Sequence, residues 1–156
     1  MSRRVALEFS KRKDLPKCVI ISIQESGQGD VQFAPNLSIL ATLNLKFDDV
    51  LPTDPEGHAM LLEDAQAIYD FVNIWRHKVH WIIVHCHAGI SRSAGVASGI
   101  SLALNSDDKW VWENNKYTPN TYCYKLVLQA FGIGKSEEEV QALWEKLLDS
   151  RKDGEI

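Results

Sequence analysis

The stretch from Trp81 to Leu104 places the tightest constraint on the fold. It begins with Trp81-Ile82-Ile83-Val84, a short apolar run of the kind that forms a buried strand. A short turn containing Gly89 follows, and the small residues from Ser93 to Leu104 then predict a helix. Because a buried strand that passes through a tight turn into a helix belongs to a layered α/β structure, we expect helices to cover a central sheet.

The rest of the chain alternates strands and helices in the same way. Two further strands are predicted, at Val19–Ile23 and Leu40–Phe47. Three further helices are predicted, from the start signal Asp54-Pro55-Glu56 to about Lys78, from about Asn120 to Phe131, and from Glu137 to Leu148, the last preceded by the capping-box pair Ser136 and Glu139. We therefore expect a single α/β domain over residues 1–156. Its sheet should be central, mixed but largely parallel, and flanked by helices, with a core at about residues 17–148 and a short polar C-terminal tail.

Charge and cysteine content exclude several classes of protein. The chain has 156 residues and a formal net charge of −4, which argues against binding to nucleic acid or to an anionic membrane. Its three cysteines have no paired spacing, so we predict no disulfide framework and a reducing compartment. The apolar run near the N-terminus is broken by Glu8 and is too short for a signal peptide. These features predict a soluble cytoplasmic protein.

The turn after the Trp81–Val84 strand carries the residues for chemistry on a phosphate. Cys86 follows the strand, Gly89 gives the turn the backbone freedom to curl, and Arg92 opens the next helix. A curled loop at a helix N-terminus points its N–H groups inward and forms an anion site, which also favours the reactive thiolate form of cysteine. Arg92 can grip two phosphate oxygens with its planar guanidinium, and Ser93 can donate a hydrogen bond to the sulfur.

Cys86 on its own would be a weak signal, because a cysteine at the end of an apolar strand is most often a packing residue. The spacing of Cys86, Gly89 and Arg92 between a strand and a helix favours the phosphate loop instead. We expect Cys86 to be the nucleophile and the residues from His87 to Arg92 to bind phosphate, namely His87, Ala88, Gly89, Ile90, Ser91 and Arg92.

The segment HCHAGISRS resembles the signature loop of the protein tyrosine phosphatases, and AGISRSA is especially similar to the dual-specificity branch. Thr118-Pro119-Asn120 resembles the Pro-Asn element that follows the signature helix in that branch. The resemblance covers roughly residues 17 to 131. It implies a domain of dual-specificity size and a two-step reaction through a phosphocysteine, with no metal and no organic cofactor.

The resemblance also implies a general acid, since the family places an aspartate on the loop after an upstream strand. Asp48, Asp49 and Asp54 are the candidates. Asp49 is favoured because Phe47-Asp48-Asp49-Val50 lies at the strand end, where Asp48 and Asp49 should face opposite ways. Asp54 is better interpreted as a helix cap.

Three other patterns are given structural interpretations. The histidines around Cys86 could suggest zinc, but His85 and His87 should point away from Cys86 on a strand, so we predict no metal site and expect His85 to hydrogen-bond the backbone and steady the loop. The aromatic residues between Trp110 and Tyr124 are expected to pack in the core. Asp107-Asp108 is expected to lie in a solvated loop.

The predicted function is that of a cysteine-dependent protein phosphatase acting on phosphotyrosine, with phosphoserine and phosphothreonine as further candidate substrates. The predicted partner is a phosphorylated protein or a small phosphate ester. Two alternatives stay open: a catalytically inactive phosphate-binding module, and a phosphatase acting on a non-protein phosphate such as an inositol lipid or an RNA 5′ end. The loop lacks the lysines that lipid-directed relatives tend to carry, and the chain lacks a basic run to hold RNA.

Overall fold

A computed structural model describes residues 1–153 of the chain. They form three strands, β1 (Cys18–Gln24), β2 (Ile39–Lys46) and β3 (Trp81–His85), and six helices, α1 (Arg3–Ser10), α2 (Leu62–Trp75), α3 (Arg92–Asn105), α4 (Lys109–Trp112), α5 (Thr121–Ala130) and α6 (Glu137–Lys152). The predicted α/β class is confirmed, as are all three predicted strands.

The three strands form one sheet in the order β2-β1-β3, and both pairs are parallel. Every residue of the central strand β1 is buried, because helices cover both of its faces. In register, Gln24 lies beside Lys46, and Ser22 lies beside His85. Parallel strands end at the same edge of a sheet, so the segments that follow β1, β2 and β3 meet there.

The main core lies between one face of the sheet and helices α2, α3 and α5. It includes Ile21 and Ile23 from β1 and Val96 and Val127 from the helices, each of them 1% exposed or less. The helix α1, which the sequence pattern did not predict, covers the opposite face through Phe9.

Helix α2 begins later than expected: the predicted start at Asp54 is wrong, and the helix begins at Leu62. The side chain of Asp54 accepts a hydrogen bond from the Glu56 amide in a turn, and Asp48 accepts one from the amide of His58. These contacts hold residues 51–60 in a loop. The helix starts only after Leu61, whose amide donates a hydrogen bond to the side chain of Asp64. The role of Asp54 as a helix cap is therefore wrong as well.

The other helices agree with the sequence except at their ends. The capping box of α6 forms as predicted, with Ser136 and Glu139 each accepting the other's amide. This helix continues beyond the predicted end at Leu148 to Lys152. The last three residues of the predicted polar tail, 154–156, lie outside the described part of the chain.

Asp108 lies in the core rather than in a solvated loop. Its carboxylate oxygen Oδ2 accepts hydrogen bonds from the Ser98 hydroxyl, the Trp112 indole and the Tyr124 hydroxyl at 3.0, 3.1 and 2.6 Å. A buried carboxylate is tolerated only when it is hydrogen-bonded, so these donors explain its place. Trp112 and Tyr124 are core residues as expected, whereas Trp110 is 53% exposed.

Candidate active site

The loop between β3 and α3 has its carbonyl groups turned outward. The carbonyl of His87 accepts the amide of Arg3, and the carbonyls of Ile90 and Ser91 accept the amides of Thr118 and Asn120, at 3.0–3.1 Å. In a trans peptide the N–H points opposite to the preceding C=O, so the amides of residues 88, 91 and 92 face the interior of the loop. A loop with this arrangement at a helix N-terminus can bind an anion.

Gly89 makes this curl possible. Its φ is +73°, in the left-handed region that glycine adopts without a steric penalty. A Cβ at this position would stand 2.3 Å from the backbone of Met1 and Ser2, which run beside the loop. The Gly89 amide donates a hydrogen bond to Cys86 Sγ at 3.3 Å, so one inward amide reaches the sulfur directly.

The thiol of Cys86 lies at the base of this loop. Only 2% of the residue is exposed, and its Sγ is 3.2 Å from the Ser93 hydroxyl. When the sulfur is ionised, the hydroxyl is the donor of this hydrogen bond and stabilises the negative charge. The remaining two cysteines have no such surroundings, and burial raises the pKa of both Cys18 and Cys123. Among the cysteines of the described residues, Cys86 alone has its sulfur beside this loop and the Ser93 hydroxyl.

Arg92 is buried, and its guanidinium is held at the common edge of the sheet. Its Nη1 donates to the carbonyl of Phe47 at 2.9 Å, and its Nη2 pairs with Glu25 Oε1 at 2.7 Å. Its Nε is buried and has no partner among the described residues. A buried N–H without a partner is costly, and an oxyanion in the loop would satisfy it.

Glu25 is a site residue that the sequence analysis missed. Burial alone would raise the pKa of its carboxyl, but hydrogen bonding to Arg92 and to its own backbone, together with the charges of Arg92 and His87, lowers it overall. Glu25 follows directly after β1, the neighbour of β3 in the sheet. Its position directly after a buried strand could have identified it as a site residue, because the ends of neighbouring parallel strands lie side by side.

The three candidate aspartates have different surroundings. Asp48 accepts hydrogen bonds from the amides of His58 and Ser26 and from the Ser26 hydroxyl. The His58 amide, followed by the Ser26 hydroxyl, lowers the pKa of Asp48 to about 2, so these contacts oppose protonation of this carboxylate. Asp54 is exposed and contacts its own turn.

Asp49 is the candidate that reaches the phosphate loop. Its Oδ1 accepts a hydrogen bond from the Ser91 hydroxyl at 2.8 Å and another from Asn120 Nδ2 at 2.9 Å. The side chain is otherwise exposed to solvent at the mouth of the loop. An acid in this position can deliver a proton to a group bound above Cys86.

His85 lies beneath the loop and has no exposed surface. Its Nε2 is 2.6 Å from the Ser22 hydroxyl, and its Nδ1 is 3.3 Å from the Cys86 carbonyl. Burial lowers the pKa of His85 to about 4, so the ring is neutral and can donate from Nδ1 to the loop. This geometry matches the expected backbone contact.

The outer surface of the loop is formed by the side chains of His87, Ala88 and Ile90, all of which are exposed. A cleft of about 360 Å³ adjoins the loop at Ser91 and is lined by Leu51, Pro119, Val140 and Trp144, among others. Within residues 1–153, no group of three or more His, Cys, Asp or Glu side chains is arranged to hold a metal ion.

Comparisons with known proteins give matches among solved structures. No family model and no curated protein matches the chain. The chain is similar to the crystal structure of human DUSP28, with 16% identity over 99% of this chain and 92% of that one and a TM-score of 0.47. It is also similar to a mouse putative dual specificity phosphatase complexed with zinc tungstate, with 16% identity over 98% and 82% of the two chains and a TM-score of 0.47.

A third similar structure is the human tyrosine phosphatase-like serine/threonine/tyrosine-interacting protein. It shares 18% identity over 82% of this chain and 74% of that one, with a TM-score of 0.43. These three are among the solved structures that the chain resembles in fold.

Proposed function

We propose that this protein is a cysteine-dependent phosphatase that hydrolyses phosphate monoesters. The observation that carries the proposal is the buried Nε of Arg92, which has no partner among the described residues, at the end of a loop whose Gly89 amide reaches the Cys86 sulfur. We propose that these donors bind a tetrahedral dianion. A packing cysteine would not need such an arrangement, which leaves a buried cation incompletely paired.

In the first step, the Cys86 thiolate attacks phosphorus while the bond from phosphorus to the ester oxygen breaks. The proposed general acid Asp49 gives its proton to the departing oxygen, so the alcohol or phenol leaves neutral. The inward amides and Arg92 hold the three equatorial oxygens and stabilise their charge in the transition state. The product of this step is a phosphocysteine on Cys86.

In the second step, a water molecule attacks the phosphocysteine and gives its proton to the Asp49 carboxylate. The bond from sulfur to phosphorus breaks, and inorganic phosphate is released. The hydroxyl of Ser93, 3.2 Å from the sulfur, donates a hydrogen bond to the departing thiolate. Asp49 is thereby protonated again for the next cycle.

The proposed substrates are phosphotyrosine in proteins, with phosphoserine, phosphothreonine and small phosphate esters as further candidates. The net charge of −4 favours these over a nucleic acid or a membrane lipid. Among the helices of residues 1–153, none has both the length and the hydropathy to cross a bilayer. The three free cysteines support the proposed location in a reducing cytoplasm.

The Cys86→Ser variant tests the proposed nucleophile. We expect turnover of an aryl phosphate to fall by roughly a thousandfold or more, because serine is not ionised at neutral pH. Affinity for inorganic phosphate should persist, because the amides and Arg92 are unchanged. The measurements are steady-state kinetics without added metal and phosphate binding by calorimetry, and Cys18→Ala serves as the matched cysteine control that keeps turnover.

Turnover of Cys86→Ser close to that of the parent protein would refute the nucleophile. Phosphate binding without any turnover by the parent protein would identify an inactive phosphate-binding module instead. A panel of phosphopeptides, inositol phosphates and nucleotide ends separates a protein phosphatase from a phosphatase of non-protein esters.

A further inference from the structure

The side chain of Asn120 joins the start of α5 to the proposed general acid. Its Oδ1 accepts the amide of Cys123 at 2.9 Å, which caps the helix, and its Nδ2 donates to Asp49 Oδ1 at 2.9 Å. Because an amide offers its oxygen only as an acceptor and its nitrogen only as a donor, the cap fixes the orientation of the side chain. The donor N–H is therefore aimed at Asp49.

Two donors converge on one oxygen of Asp49. The hydroxyl of Ser91 also donates to Oδ1, at 2.8 Å, while Oδ2 accepts no hydrogen bond from the described residues. A carboxylic acid carries its proton on one oxygen, and the oxygen that already accepts two hydrogen bonds is the less basic of the pair. The proton is thus directed to Oδ2, the oxygen left free to face a leaving group.

We infer that Asn120, assisted by Ser91, is a positioning residue that selects the proton-bearing oxygen of Asp49 and holds it over the phosphate loop. The inference rests on the proposed function, since it assumes that Asp49 acts as the general acid. Asn120 acts through Asp49 and does not itself touch the reacting atoms.

The backbone explains why these donors hold their place relative to Cys86. The amide of Asn120 donates to the Ser91 carbonyl, and the amide of Thr118 donates to the Ile90 carbonyl, both at 3.0 Å. The segment carrying Asn120 is therefore bonded to the phosphate loop. Asp49 lies on the exposed segment after β2, and contacts to this rigid unit restrict its side chain where solvent would otherwise leave it free.

The test uses two substitutions that keep the helix cap. Serine and aspartate cap helices about as well as asparagine, so Asn120→Ser and Asn120→Asp should fold. Both remove the N–H that points at Asp49. We expect turnover of an ester with a poor leaving group, phenyl phosphate, to fall by roughly tenfold to a hundredfold, and turnover of an aryl phosphate with a good leaving group to fall by less than about threefold.

A double-variant comparison separates positioning from a structural role. When Asp49→Asn is already present, Asn120→Ser should cause no further loss with phenyl phosphate, because there is no acid left to position. Ser136→Ala is the matched control: it removes the corresponding cap of α6 and should lower the melting temperature without changing the leaving-group dependence.

Equal slowing of both esters by Asn120→Ser, or a further loss on top of Asp49→Asn, would overturn this inference and leave the proposed function intact. If the parent protein shows no turnover that depends on Cys86, the proposed function and this inference are both overturned. The parent protein measured beside the variants distinguishes the two failures.

Discussion

At the scale of single residues, Arg92 illustrates how contacts at the sheet edge prepare a side chain for chemistry. Its Nη1 donates a hydrogen bond to the carbonyl of Phe47, which follows β2, and its Nη2 donates to Glu25, which follows β1. These contacts hold the guanidinium in one orientation. The Nε has no partner among the described residues. The pair with Glu25 is largely shielded, with side-chain exposures of 5% for Arg92 and 33% for Glu25, so the carboxylate has a well-defined partner.

Glu25→Gln should therefore slow turnover while leaving phosphate binding in place. The substitution keeps the size of the side chain but removes the charge that orients Arg92, and we expect kcat to fall by about tenfold because transition-state contacts depend on orientation. Phosphate affinity should not fall, since a negative charge near the site is removed. Kinetics and calorimetry measure the two quantities, and Glu8→Gln, which alters an exposed ion pair with Lys11, is the control. A kcat equal to that of the parent protein would show that Glu25 does not orient Arg92.

The candidate aspartates show what sequence could and could not define at this scale. Their position after β2 limited the candidates for the general acid to a few residues. Asp48 and Asp49 do contact different groups, as expected, but both lie beyond the end of the strand at Lys46, so strand alternation is not the reason. Their hydrogen-bond partners, His58 and Ser26 for one and Ser91 and Asn120 for the other, come from distant parts of the chain. No local pattern encodes such partners, so these contacts could not be predicted from the sequence.

At the scale of secondary-structure elements, a hydrogen-bonded chain joins β1 to β3 below the loop. Gln24 donates to the Ser22 hydroxyl at 2.5 Å, Ser22 contacts His85, and His85 contacts the Cys86 carbonyl. A neutral His85 completes this chain with one donor and one acceptor nitrogen. The strand pair thus supports the loop from beneath.

The neutral ring of His85 makes stability depend on pH. Burial lowers its pKa from 6.5 to about 4 in the folded state, so between these values the unfolded chain binds a proton that the folded protein does not. Unfolding free energy is therefore unaffected by this residue above about pH 6.5 and falls as the pH drops toward 4, by about 3 kcal/mol in total. Denaturant unfolding at about pH 7 and about pH 5 measures this.

His85→Gln should remove the pH dependence of the unfolding free energy. Replacement of the exposed His87 by glutamine should leave that dependence unchanged. Between about pH 6.5 and pH 5 the effect of His85 on stability does not overlap with that of Asp48. The pKa of Asp48 is about 2, so its protonation affects stability only in stronger acid. An unfolding free energy that does not change across this interval in the parent protein would contradict the neutral, buried His85.

Helix boundaries show a limit of sequence patterns at the same scale. The buried stripe of α2 consists of Ala65, Ile68 and Val72. The helix start was placed at Asp54 because the cap signal there is locally strong. The competing contact from Asp48 to the amide of His58 outweighs this signal, and it joins segments that no local window contains.

At the scale of the whole molecule, the parallel sheet brings the site together. Glu25, Phe47 and Cys86 follow three neighbouring strands, and they meet because parallel strands end at one edge. The apolar strands and the glycine turn predict this α/β arrangement from sequence. The helix α1 was not predicted, although Ser2 provides a cap signal at its start. The buried Asp108 was missed because an aspartate is normally a surface residue, and the donors that stabilise it come from α3, α4 and α5.

The central claim is that phosphate is transferred to Cys86, and trapping the intermediate tests it most directly. The parent protein is mixed with an aryl phosphate, quenched in acid within the first turnovers, digested and analysed by mass spectrometry. We predict a phosphate on the peptide that contains Cys86, with no phosphate on Cys18 or Cys123 and none on the Cys86→Ser protein. Turnover at the same rate without any phosphorylated Cys86 peptide would contradict the account.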